Sequence, residues 1–268
     1  MTAPALIMLA HGSTDHLVTE TTHHLRHRMQ TLRPDLEVSA AFIDHCPPTG
    51  PQVVSTLVNR GATEIVFVPL LLASAIDHDP GIDVLVDRVK TAYPDIRFAV
   101  SRPLGPEACF LNVLDERLRS ALTAARVTEL DGLILSHGGP CDVRGAALLA
   151  RRARQWGTHH RLACVTATAD SSGIGIVPAM ESLHAQGRRH IAVGSFFLAP
   201  DQSFESQAHQ ALHLGAVAVS SPIGADDSVL DTVIARYAFA AMDLLDLDET
   251  PEDTFTPMEE FHSPALSA

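Results

Sequence analysis

Shifting the sequence by 126 residues lays one half of the chain on the other, and this repeat restricts the fold more than any other feature. The pair His11-Gly12 falls on His137-Gly138, Asp44 on Asp170, Gly61 on Gly187, and "VFVPLLLAS" on "AVGSFFLAP", all without a gap. Farther along, "FAVSRPLGPE" meets "VAVSSPIGAD" at an offset of 119, so the second half lost seven residues between Ala199 and Val219. A duplicated chain builds two copies of one unit, and the topology that suits the first copy is required of the second.

Each half alternates short β-branched apolar runs with amphipathic segments of helical length, the pattern of parallel α/β structure. Strands are expected near 4–10, 36–43, 64–71 and 96–101, with helices near 14–32, 50–60, 80–93 and 107–125. The second half repeats this with strands near 131–136, 161–167, 189–195 and 216–220. The fold class is α/β: two tandem doubly wound parallel sheets, residues 1–126 and 127–243, side by side. From Leu244 the sequence reads "LLDLDETPEDTFTPMEEFHSPALSA", seven carboxylates with no Lys or Arg, so 244–268 is expected to be an acidic disordered tail.

Nineteen basic against 32 acidic side chains give a net charge of −13, which argues against a nucleic-acid or anionic-membrane surface. An anionic small molecule would need a local basic pocket. The longest apolar stretch, "IVFVPLLLASAI", is about half a membrane span and contains a proline. No basic leader precedes the apolar start, and Cys46, Cys109, Cys141 and Cys164 form no C-x-x-C pair. A cytoplasmic protein with free thiols is expected.

In an open parallel sheet, ligands bind beyond the carboxyl ends of the strands. His11, Asp44, Asp77, His78 and Arg102 all stand at or just after such ends. Gly12 allows a tight exit, and Ser13 or Thr14 can cap the next helix. Imidazole with carboxylate suits late first-row metals such as Fe, Co, Ni or Zn, and imidazole also moves protons near neutral pH. The matching positions in the second half are His137, Asp170, and Ser203 or Phe204, so the third donor is missing there. One site, in the first half, is the economical reading.

Three motifs carry a family resemblance: "LAHGS" at 9–13, "FID" at 42–44 and "PLLLASAIDHDPGID" at 69–83. Over about residues 4–240 the chain resembles the long, two-domain class II chelatases, the CbiX/SirB-like sirohydrochlorin cobalt- and ferrochelatases. Counting from Pro69, the family histidine falls on Asp77 and His78 comes one place later, so either can be the third ligand; imidazole chemistry favours His78.

The resemblance implies ATP-independent insertion of a divalent metal, Fe2+ or Co2+ with Ni2+ as a further candidate, into sirohydrochlorin or a related tetrapyrrole. It implies roles in catalysis for His11, His78 and Asp44, metal ligation by His11, His78 and Asp77, and substrate contacts from Ser13, Arg102 and His137. Arg144, Arg151 and Arg152 are further candidates for the macrocycle's carboxylates. The implied partner is the anionic tetrapyrrole, with no nucleotide, nucleic acid or membrane, and the protein is expected to be a monomer whose halves mimic a dimer.

Two other readings compete. A non-catalytic tetrapyrrole or metal carrier descended from a chelatase would explain Asp77 in place of histidine. A histidine phosphatase would explain "LAHGST", although Ala10 stands where an arginine is needed. The pairs His23/His27 and His209/His213, each four apart on an expected helix, read as exposed helix histidines.

Overall fold

The computed structural model describes residues 3–75, 79–139, 141–169 and 173–246. The first half runs β1 (Ala5–Ala10), α1 (His16–Leu32), β2 (Val38–Phe42), α2 (Gly50–Asn59), β3 (Glu64–Pro69), α3 (Pro80–Ala92), β4 (Arg97–Val100) and α4 (Phe110–Ala124). The second runs β5 (Gly132–His137), α5 (Val143–His160), β6 (Ala163–Thr168), α6 (Ile176–Ala185), β7 (Ile191–Phe196), α7 (Gln202–His213), β8 (Ala218–Val219) and α8 (Asp227–Asp246). They form two parallel four-stranded sheets of matching order, β2-β1-β3-β4 and β6-β5-β7-β8.

The strand order explains the sequence pattern. β1, β3, β5 and β7 occupy the sheet interiors, and every residue in them is buried. Helices cover both faces there, so these strands read as continuous apolar runs rather than alternating ones. The edge strand β4 is only half-buried.

Helix packing departs from a simple tandem pair. α2 and α3 cover one face of the first sheet with Val54, Leu57, Leu85 and Val89. The other face is shared by α1 and α8, and α8 belongs by sequence to the second half. Reciprocally, α4 from the first half packs on β7 and β8. The apolar stripe of α8 is Val229, Leu230, Val233, Tyr237, Ala240 and Leu244, spaced at three and four residues and buried throughout. Burying each large side chain of this kind contributes on the order of 1.5–3 kcal/mol. One apolar core therefore runs through both halves, from Leu6 and Val66 to Leu114, Trp156 and Phe196.

Polar contacts hold the exchanged helices in place. The Tyr237 hydroxyl donates to the Pro4 carbonyl (2.7 Å), and Arg236 donates to the carbonyls of Pro103 (3.0 Å) and Leu104 (3.1 Å). Burial pushes the Tyr237 phenol up to about 12. On α4, the Asp115 carboxylate accepts from the Trp156 indole N–H of α5 and lies 2.7 Å from His160 Nε2.

One expectation is refined and one corrected. The seven-residue difference between the halves lies, as expected, between the third and fourth strands, mainly in one connection, from Leu70 to Asp79 after β3 but only from Phe197 to Asp201 after β7. The final helix also continues past Leu244, which is buried and whose carbonyl accepts from Arg97 (3.1 Å), so the sequence-based start of the tail falls inside α8. Residues 247–268, the remainder of that segment, lie outside the described residues.

Truncation tests the helix boundary. A chain ending at Asp246 should melt like the full chain. One ending at Asp243 loses the buried Leu244 and the carbonyl bound to Arg97, and should be about 2–4 kcal/mol less stable in urea unfolding.

Candidate active site

The strand ends converge as parallel topology requires. His11 follows β1 directly. Its Nε2 lies 3.2 Å from Asp79 Oδ2, and its Nδ1 lies 3.7 Å from Asp44 Oδ2, so a carboxylate stands at each ring nitrogen. Asp44 follows β2, and its other oxygen accepts from the Gly12 N–H (2.8 Å). Asp79 caps α3, with Oδ1 accepting from Gly81 N (2.9 Å) and Ile82 N (3.3 Å), which leaves Oδ2 for His11. His45 brings a second imidazole, with Nε2 3.4 Å from Asp44 Oδ2, and it holds a left-handed φ of 59°.

Gly12 explains the His-Gly pair. A Cβ there would lie 1.8 Å from the Asp44 carbonyl oxygen, so only glycine lets β1's exit lie against β2's. In the second half, a Cβ on Gly138 would lie 2.4 Å from the Phe197 ring. Both copies keep glycine for close approach, against different neighbours.

The two halves face each other across a cleft at these strand ends. Its walls include His11, Leu70, Leu72, Phe197, Leu198 and Asp201. Asp201 caps α7, accepting from Phe204 N (2.8 Å), as Asp79 caps α3. Burial raises its carboxyl above the ordinary range, and the charges of Asp15 and Glu205 act in the same direction, against hydrogen bonds from the Phe204 and Ser203 N–H groups. Beside β4, a second, basic recess gathers Arg102, Arg144, Arg152 and Arg236 with Glu107. Arg152 donates to the Pro106 carbonyl (2.7 Å), and Arg236 pairs with Glu107.

The expected residues are distributed unequally. His11 and Asp44 meet, and Arg102 joins Arg144 and Arg152 around the basic recess. Arg151 is exposed. Ser13 turns inward on the backbone, its hydroxyl accepting from Asp15 N (2.9 Å). Neither Ser13 nor Thr14 caps α1; Asp15 does, accepting from Leu17 N (2.9 Å). His137 is buried at 5% exposure, whereas the His11 side chain is 29% exposed. Asp77, His78 and Asp170 lie outside the described residues.

Ser203 and Phe204 lie inside α7, past its cap, so the shortened connection takes them out of register with the third motif; the second-half residue that matches Asp79 is Asp201. Sequence reading missed Asp79, although an Asp before a proline that opens a helix is a usable cap signal. Of the expected exposed helix histidines, His23 packs edge-on against Phe42 (5.9 Å between ring centroids). His209 and His213 meet at 4.4 Å, and no third donor joins them among the described residues.

Residues 5–121 match the CbiX family model. The match lies in the first half and takes in less than half of the chain. It is 26% identical over 121 residues to the sirohydrochlorin cobaltochelatase of Priestia megaterium, covering 44% of this chain and 38% of that protein. It is also 26% identical over 117 residues to the same organism's sirohydrochlorin ferrochelatase, covering 42% and 43%. The matches thus span about two fifths of these curated relatives.

The fold is similar to that of SirB from Bacillus subtilis with Fe3+, with TM-score 0.74, 17% identity, 91% of this chain and 98% of that one. CbiX, the terminal enzyme for siroheme biosynthesis in denitrifying bacteria, gives TM-score 0.61 at 17% identity, covering 88% and 99%. The likeness of fold accordingly extends over both halves, while the family-model match covers the half that carries His11, Asp44 and Asp79.

Two substitutions test this geometry. Gly12→Ala forces Asp44 away and should cost about 1–3 kcal/mol, read as a lower urea midpoint. Asp201→Asn keeps an N-cap but removes a charge that the native state disfavours. A raised native pKa gives stability that is full below the unfolded value of about 3.9 and lost as pH rises through the folded value. The variant should therefore melt with wild type in acid and above it at neutral pH; a difference independent of pH would contradict the burial effect.

Proposed function

We propose that this protein inserts a divalent metal, Fe2+ or Co2+, into sirohydrochlorin or a closely related tetrapyrrole, without nucleotide, in the synthesis of sirohaem or cobalamin. The observation that carries this reading is the His11 ring held between Asp44 and Asp79 beside an apolar cleft. Metal insertion expels two pyrrole N–H protons as the metal enters, so it needs a proton acceptor and a perch for a divalent cation facing one macrocycle. His11 Nε2 serves as that acceptor or as a ligand, and Asp79 beside it balances the cation's charge. Asp44 orients the ring from its far side, in the manner of carboxylates that support metal-bound histidines. His78 or Asp77 completes the perch.

The macrocycle itself is flat and apolar with an anionic rim. Leu70, Leu72, Phe197 and Leu198 suit its faces, and Arg102 with Arg144 suits its carboxylates. From β1 to β4 is two strand steps, about 10 Å at the usual spacing. This is a macrocycle-scale distance, so one substrate can span the His11 and Arg102 strand ends. Asp201, on the opposite cleft wall, has a raised carboxyl and is suited to receive the second proton. The activity is assigned to one site in the first half, because His11 is accessible there whereas His137 is buried beside Gly138 and Phe197. Asp77 in the family histidine's position favours a second reading, a carrier that binds metal or tetrapyrrole without inserting one into the other.

Anaerobic assays with sirohydrochlorin and Co2+ or Fe2+, read by the macrocycle's absorbance change, test both. His11→Ala should abolish insertion, Asp79→Asn should slow it by about a hundredfold, as expected for loss of a group supporting the metal ligand, and His137→Ala should retain most of it. Equal loss in the His11 and His137 variants would overturn the single-site assignment. Binding of metal and macrocycle with no insertion by wild type would leave the carrier.

A further inference from the structure

We infer that Asp115, His159 and His160 form a second divalent-metal site, remote from the cleft, that ties the exchanged helix α4 to α5. One ligand atom from each residue can be chosen so that all three lie within 4.8 Å of one another. Asp115 comes from the first half, and both histidines come from the last turn of α5 in the second. Two imidazoles and a carboxylate are the donor set of Co2+, Ni2+, Cu2+ and Zn2+ rather than of Mg2+ or Ca2+. Atoms bound at about 2.1 Å around a tetrahedral ion sit roughly 3.5 Å apart, so only small side-chain rotations are needed.

Three further features favour an ion here. The carbonyl end of α5 carries the negative end of its dipole, which stabilises a cation. The Asp115 carboxylate is fixed by the Trp156 indole N–H, as outer donors fix metal-ligating carboxylates. A shallow recess lined by Asn112, Asp115, Gln155 and His159 leaves room for water to complete the coordination. The Asp115 and His160 side chains are 17% and 32% exposed, so the ion is reachable from solvent. Metal replaces the existing His160–Asp115 contact by bonds to both residues and adds His159. Because the ligands come from both halves, the bound ion stabilises the helix exchange itself, by mass action on the folded state.

The chain supplies its own reporter. Trp156 is the only tryptophan, is buried at 1% exposure, and donates its indole N–H to Asp115. Titrating the full-length His11→Ala chain, whose cleft perch is removed, with Co2+ should quench most of its emission saturably at one equivalent, and Zn2+ should raise its melting temperature. Adding His159→Ala/His160→Ala should abolish both effects. His159→Ala alone, at an exposed position, should weaken Co2+ binding at least tenfold, and it serves should the double variant fail to fold. Quenching that only rises linearly with Co2+, or that persists unchanged in the His159 variants, would overturn the site.

Discussion

Each sheet has a face that its own half leaves uncovered. α1 covers part of the inner face of the first sheet, and β3 and β4 are closed only when α8 arrives from the other half. β7 and β8 depend in the same way on α4. The apolar surface thus covered is what makes two repeats one body, with side chains from Leu6 to Leu244 in a single core. The cleft inherits its position from this. Two sheets fixed through their inner faces present the carboxyl ends of their central strands to each other, with His11 on one wall and Asp201 on the other.

The duplication supplied two similar cleft walls, and a change in loop length made them unequal. Asp79 and Asp201 both cap the helix after the third strand of their half. In the first half the longer connection leaves Asp79 Oδ2 against an accessible His11, while in the second half Phe197 packs on Gly138 and His137 is buried. One copy leaves its imidazole accessible in the cleft, and the other buries it.

The parts legible in the sequence are those decided by local pattern. The central strands were found within one or two residues because burial on both faces leaves an unbroken apolar run, and His11 and Asp44 followed as residues at strand ends. What escaped depends on neighbours. The amphipathic stripe on α8 says that one face is buried, not which sheet buries it, so the exchange and the role of Arg236 in the basic recess were invisible. Asp79 falls outside the motif positions Asp77 and His78 and meets His11 only because it caps α3, a contact that depends on where the helix starts. Trp156 and the His159-His160 pair carried no signal because their partner, Asp115, lies on a helix from the other half.

The helix exchange also bears on how the chain is made. A ribosome releases the first sheet long before α8, so β3 and β4 must wait with apolar surface uncovered while the whole second half is synthesised. The earliest element to form is among the last to be finished. Native contacts between residues as far apart as Pro4 and Tyr237 require closure of nearly the entire chain, a topology that folds slowly. Such a nascent chain exposes apolar surface to aggregation and chaperone capture until α8 emerges.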